Sequence, residues 1–291
     1  MDTLILRAAA KINWALDVKG LRADKYHALD MIMDSVSLYD EVTLALTNGP
    51  IEVGDIAGVG AGAQNLAWRA AALLKRLYGV TRGVRIGLKK AIPMGAGLGG
   101  GSADAAAVLA GLNRLWQLDL DQAQLAEVAC QLGADVPFCL RGGRMRAQGI
   151  GERLTRVEGG AVYQLIIAKA LPSLATPDVF RAYDAIGKVP PVDVDRIERA
   201  LVSGDAAAVA AALAHANALQ MPACALEASI PEVMAMLDGS GARAVWMTGS
   251  GSAVLGLYAD AACQQAAMER LRRQVCALFA VHTVPRAIEI A

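Results

Sequence analysis

The stretch Pro93-Met94-Gly95-Ala96-Gly97-Leu98-Gly99-Gly100-Gly101-Ser102-Ala103 restricts this chain more than any other, because it packs five glycines into eleven residues. Ahead of it, Val84, Ile86 and Leu88 alternate with Arg85, Gly87 and Lys89, the period of a half-buried strand. Behind it, Ala103 to Leu115 is rich in Ala and Leu, with Val108, Leu112 and Leu115 at helical spacing. A strand therefore enters a glycine loop that opens a helix. Glycine lets backbone N–H groups converge on one point with no Cβ in the way. The helix start adds unpaired donors and about half a unit of positive charge. The stretch is predicted to hold a polyphosphate; a merely structural turn would be destabilised by so many glycines.

Two familiar loops do not fit. A Walker A loop needs a lysine where Gly101 stands after Gly95 and Gly100. The dinucleotide pattern Gly-x-Gly-x-x-Gly is literally present at Gly95, Gly97 and Gly100, with Asp119 or Asp121 near the downstream acid it requires. Those aspartates, however, precede Gln122 to Leu132, where Leu125, Val128, Ala129 and Leu132 have helical spacing, so they read as helix-start residues rather than a strand end. No Gly-x-Ser-x-Gly elbow is present, which disfavours a serine hydrolase.

A chain of 291 residues buries a large core in two lobes or one large domain. Its 28 basic residues balance 28 acidic ones, so nucleic acid and anionic membranes are not expected as partners. Cys130, Cys139, Cys224, Cys263 and Cys276 form no C-x-x-C pair and leave one over, which suits reduced thiols in a cytoplasmic protein better than disulfides or zinc. Met1-Asp2-Thr3 lacks the basic region and apolar core of a secretion signal. The uncharged run Ala206 to Leu226 contains His215, Asn217, Gln220 and Pro222, and is expected to be a soluble helix ending near Pro222 rather than a membrane span.

Along the chain, Ile5 to Val18 reads as a strand or strand pair, with Lys11 and Asn13 on one face either side of Ile12. A lysine there is ordinarily just a solvated charge. Arg22 to His27 is a polar turn, Val42, Leu44 and Leu46 alternate as a strand, and Asn65 can cap a helix striped by Leu66, Ala70, Leu73, Leu74 and Leu77. Asp135, between Ala134 and Val136 in apolar surroundings, needs a reason; a cap or turn residue is the plain one. Gly142-Gly143 and Gly149 to Glu152 mark the turns of a hairpin. Tyr163 to Ala168 is a strand, and Thr176 to Tyr183 starts a helix with Pro177 in its first turn. Asp205 to Leu219 is a helix. Ala244 to Met247 and Ala253 to Tyr258 are strands around Thr248-Gly249-Ser250-Gly251-Ser252, either a plain hairpin turn or one that faces phosphates. Ala262 to Leu278 is helical and Val281 to Ile288 a closing strand. Strands and helices mix without strict alternation, which predicts an α+β fold.

Five separated segments agree with one family. Pro93 to Ser102 resembles the phosphate loop of the galactokinase, homoserine kinase, mevalonate kinase and phosphomevalonate kinase (GHMP) superfamily, and Thr248-Gly249-Ser250-Gly251 resembles its third motif. Ala10-Lys11-Ile12-Asn13, Arg22 to His27 and Leu132-Gly133-Ala134-Asp135-Val136-Pro137 are similar to the branch that acts on a cytidyl diphosphate alcohol. The resemblance implies a two-lobed GHMP fold, lobes 1–158 and 159–291, with ATP and substrate meeting between them. It implies ATP-dependent phosphorylation of the 2-hydroxyl of 4-diphosphocytidyl-2-C-methyl-D-erythritol, with Mg²⁺ arriving on the ATP and no metal ligand assigned to the protein. By matched positions, Asp135 is the base and Lys11 its cationic partner. Pro93, Met94, Gly95, Ala96, Gly97, Leu98, Gly99, Gly100, Gly101, Ser102 and Ala103 bind ATP, with Asn65 and Lys90 near the adenosine. Asn13 lies near the catalytic pair, Tyr26 and Phe180 sandwich the cytosine, and His27 hydrogen-bonds it. Without the resemblance, Tyr26 would read as a semi-buried turn residue and Phe180 as core.

The roles are chemically sensible. Phosphoryl transfer asks mainly for alignment and charge stabilisation, and a carboxylate can accept the alcohol's proton late, as P–O bond formation acidifies it. The same reading makes the protein a monomer or weak homodimer. Rival readings are a GHMP kinase for another small alcohol such as homoserine or mevalonate, a non-catalytic sugar or nucleotide sensor on the same scaffold, and a nicotinamide oxidoreductase. Tyr26, His27 and Phe180 argue against the first, and retention of both Lys11 and Asp135 against the second. Some positions depart from the family pattern: Lys25 stands where glycine is usual, Ala103 replaces a frequent serine, Thr248 replaces a serine, and Arg144 and Arg146 have no explanation in the sequence.

Overall fold

Two long antiparallel strands, β1 (Thr3–Leu21) and β2 (His27–Thr47), form the spine of the molecule, paired from Leu21 opposite His27 to Thr3 opposite Ala45. The computed structural model describes residues 2–54, 62–170, 172–273 and 277–291. From Ala8 to Leu16, β1 is buried on both faces, so its apolar residues run on instead of alternating. Its register shifts between Ala9 and Ala10 and again between Asn13 and Ala15. Bulges of this kind re-aim side chains, and here they bracket Lys11 to Asn13.

Beyond β2 come β3 (Ile51–Val53), which the sequence reading missed, α1 (Leu66–Tyr78), β4 (Gly83–Lys89), α2 (Gly100–Leu115), α3 (Gln122–Cys130) and α4 (Val136–Arg141). The expected hairpin follows as β5 (Met145–Gly149) and β6 (Arg153–Arg156). Next are β7 (Gln164–Lys169), α5 (Thr176–Ile186), α6 (Val194–Ser203), α7 (Ala206–Ala212), α8 (Gln220–Leu226) and α9 (Ser229–Gly239). The chain closes with β8 (Ala244–Met247), β9 (Ala253–Tyr258), α10 (Ala261–Leu271), β10 (Leu278–Val284) and β11 (Ile288–Ile290).

The strands share one sheet whose main path runs β11-β1-β2-β10-β7-β9-β8, with β4 and β5 also pairing on β2. The last two strands return to the first: β10 bridges β2 and β7, and β11 pairs with β1. Mixed helices and a sheet that is antiparallel except for the β3–β4 pair give the expected α+β class. Helix α2 lies on β1 through a face of small residues. A Cβ on Gly111 would meet Leu44 Cδ1 at 2.4 Å, so glycine there sets how closely helix and sheet approach.

Several expected boundaries move. The alanine-rich run is not one helix: α7 stops at Ala212, a 3₁₀ turn spans Leu213–His215, and Pro222 sits in the first turn of α8. Past the 3₁₀ turn, the Asn217 side chain donates to the carbonyls of Met247 and Gly249, both at 2.8 Å, and ties the segment to the sheet. Among the described residues no helix is long and apolar enough to cross a membrane. The helix expected to Leu278 ends at Leu271, and Leu278 opens β10; residues 274–276 of that expectation, with Cys276, lie outside the described residues. The closing strand expected over Val281 to Ile288 is two strands, β10 and β11.

Arg144 and Arg146 acquire partners. Arg144 Nε donates to Asp34 Oδ2 at 2.8 Å, and Trp14 Nε1 donates to the same oxygen at 3.2 Å, all of it buried. Burial pushes the Asp34 carboxyl up, and Arg144 opposes this. Arg146 joins Asp30 on β2 to Asp195 and Glu198 on α6, each at 2.7 Å. Arg144 also donates to Leu201 O at 3.4 Å, so both arginines pin α6 to the β2–β5 sheet, which small or apolar residues could not do.

Candidate active site

The glycine loop folds as its composition demands. Gly95, Gly97 and Gly99 have φ of 62°, 75° and 69°, the left-handed region that costs side-chain-bearing residues about 1–2 kcal/mol. At Gly99 the space is also taken, because an added Cβ would lie 2.8 Å from Lys11 Cγ. At Gly97 it would lie 2.9 Å from the carbonyl oxygen of Thr248. The loop is thus squeezed between β1 and the β8–β9 turn. Helix α2 starts after Gly99 with no side-chain cap, so no side chain covers its first amides, as an anion site requires.

On the other side of Gly99 stands Lys11, whose side chain is only 7% exposed. Its backbone N–H donates to Leu98 O at 3.0 Å, which sews β1 to the loop. Its ammonium donates to Asn13 Oδ1 at 3.0 Å and lies 3.6 Å from Asp135 Oδ2. Asp135 occupies the residue before α4 but makes no capping hydrogen bond, so the plain explanation of a cap residue does not account for its carboxylate. A cavity of about 160 Å³ opens here, lined by Lys11, Asn13, Gly97, Gly99, Asp135 and Phe180. Gly249 and Ser250 of the β8–β9 turn join the same lining. Thr248 Oγ1 accepts from the Asn13 N–H at 2.8 Å, so the turn locates the strand that carries Lys11. The two readings left open for this turn are compatible: it is a hairpin, and two of its residues face the cavity.

Tyr26, His27, Asn65 and Lys90 do not line that cavity. Tyr26 is 63% exposed. His27 stacks on Phe180, ring centroids 4.8 Å apart and planes 19° apart. Lys25 has φ of 67°, so the turn before Tyr26 takes a conformation natural to glycine although a lysine occupies it. Asn65 caps α1, its Oδ1 accepting from the Ala67 N–H at 2.9 Å. Lys90 is clamped by two buried carboxylates, Asp40 on β2 and Asp104 in α2, the latter at 2.5 Å. Asp40 Oδ1 also accepts from the N–H groups of Ala91 and Ile92, at 2.7 and 2.9 Å. The cluster fastens both shoulders of the glycine loop. Facing carboxylates hold the Lys90 ammonium pKa up although burial pulls it down, while burial above all pushes the Asp104 carboxyl up to about 7.

Sequence reasoning passed over Asp40, Asp104, Lys169 and Asp184. Lys169 Nζ donates to Met94 O at 2.8 Å and so steadies the loop's first residues. Asp104 had a legible signal, a lone charge within Ala103 to Ala107 of an apolar helix. Asp184 had a weaker one, a position four after Phe180 on the same helix face.

Comparison with known proteins agrees with this geometry. The profile described as GHMP kinases N terminal domain matches residues 65–143, and that described as GHMP kinases C terminal matches residues 197–278. The 4-diphosphocytidyl-2-C-methyl-D-erythritol kinase of Pelotomaculum thermopropionicum is 41% identical over 91% of this chain and 93% of its own length. Its namesake from Moorella thermoacetica is 42% identical over 94% and 96%. A crystal structure of 4-(cytidine 5'-diphospho)-2C-methyl-D-erythritol kinase superposes with a TM-score of 0.81 at 35% identity, covering 96% of this chain and 99% of that one. Homoserine kinase from Cytophaga hutchinsonii shares the fold at a TM-score of 0.77 and 17% identity, over 100% of this chain and 98% of that one. With a loop shaped for phosphate beside a lysine–aspartate pair, and with relatives of this identity over almost its whole length, the chain belongs to the GHMP kinases, within their 4-diphosphocytidyl-2-C-methyl-D-erythritol kinase family.

Proposed function

We propose that this kinase transfers the γ-phosphoryl group of ATP to the 2-hydroxyl of 4-diphosphocytidyl-2-C-methyl-D-erythritol. The observation that carries the reading is the Lys11–Asp135 pair, 3.6 Å apart in one cavity with Gly97 and Gly99 of the loop. The amides of the loop and of the first turn of α2 receive the triphosphate. Asp135 orients the substrate hydroxyl and takes its proton as the oxygen bonds to the γ-phosphorus and the bond to the β-phosphate oxygen breaks, releasing ADP. Lys11, 3.6 Å from the Asp135 carboxylate, offsets charge on the group in transit. Phe180, which lines the cavity, stacks on the cytosine, Tyr26 closes over it, and His27 hydrogen-bonds its edge.

Among the described residues no group of acidic, His or Cys side chains gathers in a way that could hold a metal ion. Mg²⁺ would arrive on the nucleotide and neutralise phosphate charge there, with no ligand assigned to this chain. We divide the chain into lobes near residue 158, where β6 ends and the chain passes to β7.

The test is ADP release over a panel of alcohols that includes the cytidyl diphosphate, homoserine and mevalonate. Turnover only with the cytidyl compound is expected. Comparable turnover with homoserine or mevalonate would overturn the substrate assignment.

A further inference from the structure

Helix α5 presents Phe180, Tyr183 and Asp184 on one face, at the i, i+3 and i+4 spacing that brings side chains together. All three address His27 of β2. Its imidazole stacks on Phe180, meets Tyr183 edge-on at 84° with centroids 6.1 Å apart, and places Nε2 2.8 Å from Asp184 Oδ1. The His27 side chain is 10% exposed, so the three contacts fix a ring that is nearly out of water. Asp184 is 53% exposed at its side chain, and nothing in the phosphoryl transfer uses it.

An ionised carboxylate only accepts hydrogen bonds, so Nε2 carries the proton in this contact. In the neutral imidazole Nδ1 then holds the lone pair and accepts. Cytosine offers an amino donor at C4, whereas uracil carries a carbonyl acceptor at that position. We propose that Asp184 is a positioning residue that sets the tautomer of His27 and thereby makes the kinase prefer a cytidyl over a uridyl substrate. This rests on the cytidyl reading above and adds the residue that enforces it. Two facing acceptors would leave both unpaired in a semi-buried site, which is how a binding site rejects the wrong edge.

The experiment compares kcat/KM for the cytidyl diphosphate alcohol and its uridyl analogue in the intact enzyme, with ¹⁵N NMR of the imidazoles, of which the chain has three. The native enzyme should prefer cytidyl by about a hundredfold and show His27 protonated at Nε2. Asp184→Ala should cut the preference below about tenfold through the KM for the cytidyl substrate, leave the KM for ATP unchanged, and give His27 mixed tautomers. Asp184→Asn, whose amide carbonyl still accepts from Nε2, should keep most of the preference. A proton on Nδ1 in the native enzyme would overturn the proposal. So would an unchanged base preference in Asp184→Ala, or an Asp184→Asn as impaired as Asp184→Ala. His27→Ala separates the two readings. If it too leaves base preference intact, the cytosine assignment of His27 itself fails; if it alone erases the preference, only the role of Asp184 fails.

Discussion

The glycine loop and helix α5 line one cavity, through Gly97 and Gly99 and through Phe180, and they are built from different materials. At the loop, on the proposed reading, main chain recognises phosphate, and buried charges hold the loop in shape. Lys11 fills the space beside Gly99, and Lys90 ties the loop's shoulders through Asp40 and Asp104. At α5 the groups are side chains on a helix surface, with Tyr26 and Asp184 open to solvent. A phosphate chain is the same in every nucleotide, so a rigid backbone cradle serves it well. A base must be told from its analogues, and that takes individual donors and acceptors in set orientations. On the proposed reading chemistry and base recognition are therefore separable, and substitutions should show it.

The largest effect is expected beside the loop. Asp135→Asn keeps the shape of the side chain and removes the proposed proton acceptor, so kcat should fall about a thousandfold or more while ATP binding persists. A loss of ATP affinity as large as the loss of turnover would break the separation. An intermediate effect is expected at α5. Phe180→Ala should raise the KM for the cytidyl substrate about tenfold to a hundredfold, because stacking on a base is worth about 1–3 kcal/mol; the KM for ATP should stay within about twofold of the native value. Equal changes in both constants would mean that the two regions are coupled.

The smallest effect sharpens the contrast through pH. The Asp104 carboxyl, pushed up to about 7 by burial first and by Asp40 in addition, has an ordinary value of 3.8. The folded state therefore holds its proton more tightly than the unfolded state does. The stability this contributes is complete below about pH 4 and is lost as pH rises through about 7. Between pH 5 and 8, thermal melting of the native enzyme should decline relative to Asp104→Asn, by about 2–4 °C for each kcal/mol involved. Parallel melting profiles for the two proteins would show that Asp104 titrates alike in both states.

Much of this site was legible before any coordinates. Five glycines between an alternating strand and an alanine-rich helix allow few conformations, so the loop and α2 could be read locally. Asn65 as a cap and the hairpin after Gly143 were equally local. Where the reading slipped, distant partners had intervened. The alanine-rich run is interrupted where the Asn217 side chain donates to carbonyls of the distant β8–β9 hairpin. Arg144 and Arg146 looked anomalous until Asp34, Asp30, Asp195 and Glu198 came beside them.

By itself the sequence determined the backbone-built half, because φ restrictions and helix-start chemistry act over a few neighbouring residues. That Lys11 faces Asp135 across 124 positions, and that His27 lies against a helix whose contacting residues are more than 150 positions away, follows from long-range packing alone. Packing also decided that Lys90 is shared by two carboxylates. Charges and rings find partners through the packed sheet, and no local pattern encodes which distant groups that packing will bring together.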